Sequence, residues 1–221
     1  PLMIRFPENY QHLAPAKPGE TLDRLVTFVD FPKTVLSLAG LNTPDYLQGD
    51  VFLGEESEEP ADYVYGFRDR VDEAFDCSRS VRSKNYLYIR NYLPHLSWNQ
   101  PSVFSDLADI RRDITAYAAE NLDSLTEAQL AYAGPRKTFE EFYEVNADPD
   151  NISNLALGEM TDEQQEALEA HRAEFKRKRM EILDVGIMPE SIMVDYIDEE
   201  RAAIRDINLG KTDHRPDLES I

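Results

Sequence analysis

The stretch "YVYGFRDRVDEAFDCSRSVRSKNYLYIRNYLP", residues 63–94, decides how this chain folds. "YVYGF" (63–67) is rich in β-formers and reads as a strand. Residues 77–82 and 85–92 read as a hairpin closed around "SKN" (83–85). In its second strand, Tyr86, Tyr88, Arg90 and Tyr92 share one face. Leu87, Ile89, Asn91 and Leu93 share the other, because side chains alternate with a period of two. "FEEFYEV" (139–145) supplies a further strand, followed by an Asp148-Pro149 turn.

Helical signals surround this sheet. Asp30 is placed to cap a helix with Pro32 in its first turn, Val35, Leu36 and Ala39 on its apolar face, and Gly40 as its stop. Residues 101–121 read as helical, with Phe104, Leu107, Ile110, Ile114 and Tyr117 recurring at three- and four-residue spacing. Thr126 with Gln129, and Thr161 with Gln164, have capping-box spacing. The second box opens a long charged helix to about Leu183, with Leu168, Phe175 and Ile182 seven apart. A further helix is expected near Pro189, and "LGKTDHRPDLESI" (209–221) reads as polar and weakly structured. Leu2 to Phe6 reads as a short buried strand ended by Pro7. An apolar strand already under way at Pro1, without an initiator methionine, is expected of a chain cut in mid-fold, its targeting segment missing.

Composition excludes some functions. Hydrophobic residues make up 42% of 221, enough for a packed core. A net charge of -20 argues against nucleic acid, whose phosphates need clustered Lys and Arg. No apolar run is long enough to span a bilayer. One cysteine excludes an internal disulfide framework.

Cys77 is followed by Ser78 and Arg79, but a nucleophile needs a base or an environment that lowers its pKa. With His95 the nearest histidine in sequence, Cys77 reads as a buried structural thiol. His12, His95, His171 and His214 form no H-x-x-x-H pair and read as loop or surface residues. "KRKR" (176–179) lies on a helix beside Glu169, Glu174 and Glu181 and reads as an ion-paired, solvated face. "FRDRVDE" (67–73) is denser. Guanidinium forks at a strand end suit sulfate, phosphate or carboxylate, and a salt-bridged surface turn is the other reading.

Several stretches in order resemble the sulfatase family. "PLMIRFPE" (1–8) looks like the strand after the last active-site motif of the catalytic half. "RLVTFVDFPKTVLSLAGLNTPDYLQGDVFLG" (24–54) is similar to the segment linking the family's two halves. Residues 63–94 resemble the start of the smaller C-terminal domain. "EFYEVNADPDNISNLA" (141–156) resembles the closing signature E-L-Y-D-L-x-x-D-P-x-E-x-x-N-L-A, with Phe142, Glu144 and Asn151 as departures. "DVGIMPES" (184–191) looks like a tail of heparan-type sulfatase relatives.

The resemblance implies an α/β fold, α+β within this portion. Residues 1–54 would close the alkaline-phosphatase-like mixed sheet of the large catalytic domain, and 55–160 would form a C-terminal subdomain with an antiparallel sheet packed by a helix. Residues 161–221 would be a helical extension. The implied chemistry is hydrolysis of a sulfate ester or sulfamate by a formylglycine nucleophile with calcium, on a substrate such as sulfated carbohydrate. This chain has no C/S-x-P-S-R segment, so no catalytic or metal residue carries over. The expected substrate contacts are Arg68, Asp69, Arg70 and Asp72, with Arg79 and His95 further out. The missing N-terminal half is the implied partner, and a periplasmic or extracellular location is the family expectation. A non-catalytic interaction or carbohydrate-binding module, or a phosphatase or phosphodiesterase of the same superfamily, are the alternatives.

Overall fold

The computed structural model describes residues 2–189 together with 191 and 192. The helix expected near Pro189 runs into residues outside these, and so do the polar end and His214. The chain divides into two compact units, one holding the residues up to Val64 and the other running from Tyr65 through the long helix.

In the first unit, α1 spans Phe31–Leu38 with Pro32 in its first turn, and Gly40 ends it at positive φ. Asp30 makes no capping bond to α1. Its carboxylate accepts the backbone N–H groups of Thr27 at 2.8 Å and Asp50 at 3.1 Å. The expected apolar face is also displaced: Val35 and Ala39 are exposed, and Thr34 is the buried residue, accepting the Phe52 N–H at 3.1 Å. Val51, Phe52 and Leu53 form the apolar centre of this unit. Gly49 is needed where it stands, because a Cβ there would lie 2.5 Å from the Val29 carbonyl oxygen.

Leu2 to Phe6 forms no strand, and Leu2, Met3 and Ile4 are exposed. A strand exists only through hydrogen bonds to a neighbour, and no described strand lies alongside.

The second unit holds a four-stranded sheet in the order β1 (Val64–Arg68), β2 (Ser78–Arg82), β3 (Tyr86–Asn91), β4 (Glu140–Glu144). The β2–β3 and β3–β4 pairs are antiparallel, so the "SKN" turn falls where the hairpin reading puts it. The register aligns Val81, Tyr88 and Phe142 in one row. That face is covered by α4 (Asp162–Ile182), whose N-terminus carries the Thr161–Gln164 capping box. Leu168, His171 and Phe175 point from α4 into the sheet and are buried. Tyr86 stacks on Phe142, and Phe175 meets Tyr88 edge-on. Burying Leu168 and Phe175 contributes about 1.5–3 kcal/mol each.

Between β3 and β4 lie α2 (Asp109–Glu120) and α3 (Glu127–Ala133), the latter opened by the Thr126–Gln129 box and closed at Gly134. The helix expected over 101–121 begins only at Asp109, so Phe104 and Leu107 lie before it; they and Ile110 are each more than 70% exposed, Ile114 is half-buried, and Arg111 and Ala118 are buried. On α4, Arg177 pairs with Glu174 and Glu181, and Lys178 with Glu181, so the "KRKR" run is ion-paired.

Candidate functional site

The strand β1 ends at Arg68, and a tight turn follows. Val71 and Ala74 exchange backbone hydrogen bonds, both 2.9 Å, around Asp72 and Glu73. Asp72 takes positive φ, a conformation aspartate tolerates better than most residues. Glu73 accepts the Val103 backbone N–H, which holds its carboxyl below the ordinary carboxylate range. That bond ties the turn to the loop before α2. Between them opens a cleft of about 700 Å³, lined by Glu73, Phe75, His95, Asn99, Gln100 and Asp106 among others.

Beside this cleft lies a buried polar cluster centred on Asp76, which has no solvent exposure. Lys137 Nζ donates to both its carboxylate oxygens at 2.6 Å. The Cys77 backbone N–H donates to Oδ1 at 2.8 Å, and Gln100 Nε2 and Arg68 Nε each donate to Oδ2 at 3.1 Å. The Trp98 ring lies 4.5 Å from Lys137 Nζ and 5.9 Å from the Arg68 guanidinium. A buried carboxylate is tolerable only when paired and bonded in this way.

The six residues expected to contact substrate therefore separate. Arg68 is about a third exposed, and Nε is its only described hydrogen-bond donor in use. Arg70 lies over the Phe75 ring. His95 is exposed on the cleft wall. Asp69 is half-exposed but is engaged by Arg79 Nη2 at 2.8 Å.

Arg79 is corrected from a substrate contact to a structural residue. It is 2% exposed, and every N–H of its guanidinium is used inside the protein. Nε and Nη2 grip Asp184 at 2.7 and 2.9 Å, Nη2 also reaches Asp69, and Nη1 donates to the Arg68 and Ser78 carbonyls. Burial opposes its charge, but the Asp184 carboxylate outweighs burial and raises its pKa.

Cys77 is buried, and burial pushes its thiol pKa up, the reverse of what a nucleophile needs. Its Sγ faces the Gly186 carbonyl at 3.8 Å. His171 corrects the reading of the histidines as loop or surface residues. It is 3% exposed, its ring nitrogens contact the Ala167 carbonyl and Ser83 Oγ, and burial lowers its pKa.

The "EFYEVNADPDNISNLA" segment is a structural staple. Asn154 Oδ1 accepts the Phe142 N–H at 2.9 Å on the outer edge of β4, and the Ala156 N–H at 3.0 Å. Asp148 accepts the N–H groups of Ile152 and Ser153. Glu141, 5% exposed, accepts from Asn91 Nδ2 and from the Tyr143 hydroxyl. Among the described residues no group of three or more His, Cys, Asp and Glu side chains could hold a metal ion.

An α+β unit with a charged turn at the end of β1 and an open cleft near it is the class of structure these residues build. No protein-family model matches the chain. It is 32% identical over 198 residues to an ulvan-active sulfatase of Formosa agariphila, covering 89% of this chain and 31% of that protein. A second ulvan-active sulfatase of the same organism is 29% identical over 163 residues, covering 71% and 28%. A solved 2-O GAG sulfatase aligns with a TM-score of 0.46 and 19% identity, over 75% of this chain and 27% of that one. The chain belongs to the sulfatase family. It spans about a third of the length of the curated relatives it matches.

Proposed function

We propose that this chain is the C-terminal portion of a sulfatase that hydrolyses sulfate esters or sulfamates on a sulfated carbohydrate. The observation that carries the reading is the match to an ulvan-active sulfatase across nearly the whole of this chain but only 31% of that protein. A formylglycine nucleophile and a calcium ion would belong to the remainder of the enzyme. Calcium would stabilise the sulfate oxygens as negative charge develops on them.

This portion would contribute substrate contacts. Arg68 offers guanidinium donors to sulfate or sugar oxygens, Arg70 stands over the Phe75 ring in the same turn as a second candidate contact, and His95 offers a ring nitrogen on the cleft wall. Asp69 and Asp72 shape the turn that presents the arginines. An exported location, periplasmic or extracellular, accompanies this reading.

The purified 221-residue chain is expected to turn over no aryl sulfate. In a longer protein that includes a C/S-x-P-S-R segment, turnover is expected, and Arg68→Ala should raise KM. Turnover by the chain alone, lost on mutating a residue within it, would sink the proposal.

A further inference from the structure

We infer that Asp76 is a positioning residue that turns Arg68 into an oxyanion subsite for the substrate's sulfate, an inference that rests on the reading of Arg68 as a substrate contact. Asp76 is fully buried, and Lys137, whose side chain is also fully buried, already compensates it at both oxygens. A core pair needs no third charge for neutrality. The addition of Arg68 puts a second cation on one carboxylate, in a chain of net charge -20.

The geometry of the added cation is one-sided. Asp76 holds Arg68 by Nε alone, at 3.1 Å, while Nη1 and Nη2 donate to no described residue. The Trp98 ring lies near the guanidinium, at 5.9 Å. A fork gripped at its stem, with both tips free, matches two oxygens of a sulfate. Because the grip is made in the folded protein, little rotamer entropy remains to be lost on binding. Gln100 links the cluster to the cleft, donating to Asp76 Oδ2 at 3.1 Å while lining the cavity wall.

Trp98 is the chain's single tryptophan, so its fluorescence reports on this cluster without a label. The full chain is titrated with sodium sulfate, and with sodium chloride at matched ionic strength. Sulfate should give a saturable change that chloride does not, and Arg68→Gln should abolish it. Asp76→Asn alone leaves Lys137 buried and unpaired and is prone to misfold. The informative variant is therefore Asp76→Asn with Lys137→Gln, checked for folding by circular dichroism. It should bind sulfate roughly tenfold more weakly although Arg68 is intact.

Arg68→Lys provides a second measure. With Asp76 present, the lysine ammonium is drawn to the carboxylate, and affinity should fall roughly tenfold. In the Asp76→Asn, Lys137→Gln background the same change should cost no more than about twofold, a non-additivity that a purely structural Asp76 would not produce. If the unmodified chain shows no saturable response to sulfate, or Arg68→Gln leaves it intact, Arg68 is not the contact and the underlying reading falls. If Arg68→Gln abolishes binding but the double variant keeps it within about twofold, the reading stands and the positioning role of Asp76 is refuted. Should the double variant not fold, a loss of no more than about twofold in Arg68→Lys alone refutes it equally.

Discussion

Replacing Asp184 with asparagine tests whether Arg79 holds the second unit together. Arg79 is 2% exposed and Asp184 7% exposed, and two charge-assisted bonds of 2.7 and 2.9 Å join them. Asparagine can accept one of these bonds, but its NH2 faces a donor at the other, and the paired charge is lost. Breaking a buried pair by removing one partner costs about 3–5 kcal/mol. Asp69 remains within 2.8 Å but is half-exposed, so it offsets only part of the loss. The expected cost is therefore at the lower end, about 3 kcal/mol. For a chain of this size that corresponds to a fall in Tm of roughly 6–12 °C. Thermal and urea unfolding followed by Trp98 fluorescence would measure it, since Trp98 belongs to the same unit. Asp69→Asn is the internal control, because its half-exposed pair should contribute no more than about 1 kcal/mol. If Asp184→Asn costs no more than Asp69→Asn, the reasoning from burial is wrong.

Gly186→Ala should act on the same guanidinium from the other side: a Cβ there would land on Arg79 Nη2, and a loss of stability comparable to that of Asp184→Asn is expected in the same unfolding assay. His171 is buried with a lowered pKa, so the unfolded chain binds the proton more readily; the stability it contributes is complete above its unfolded pKa of about 6.5 and is lost as pH falls through the lower folded value. His171→Phe should flatten that part of the stability–pH curve, and an unchanged curve would remove His171 as its source. Glu140 is held below the ordinary carboxylate range by its hydrogen bond from Arg172, so its contribution is present above about pH 4.3 and lost at lower pH as the folded carboxyl protonates. Glu140→Gln should therefore destabilise the chain at pH 7 and converge with wild type in acid, as read by urea titrations at each pH.

The strands and the capped helices were legible because their signals are local. Alternation in residues 86–93 encodes a two-faced strand, and each Thr–Gln pair closes its own capping box within four residues. The α2 stripe misled for the same reason. Period alone puts Phe104, Leu107 and Ile110 on one helix face, but the helix starts at Asp109 and all three are exposed. Leu2 to Phe6 misled similarly, since apolar residues favour a strand but only a neighbour makes one.

The candidate site was half legible. "FRDR" marked a charged strand end, and Arg68 stands there with its Nε on Asp76. Asp76 carried no separate signal in "FDCSRSVR", and Lys137, 61 positions away, carried none at all. Arg79 looked like a second surface cation because nothing within its own segment shows Asp184, 105 positions on, closing around it.

Determined by the sequence alone are the hairpin, the two boxed helices and the family resemblance, because strand alternation, caps and motif order depend on residues a few positions apart. The tertiary structure alone decided which charges serve the core and which stay available. Arg68 and Arg79 are both arginines at the same end of the sheet, and they part because Asp184, Asp69 and two backbone carbonyls together take every donor of one while Asp76 grips only the stem of the other. A guanidinium's function is set by which of its N–H groups are left unsatisfied, and that depends on long-range packing.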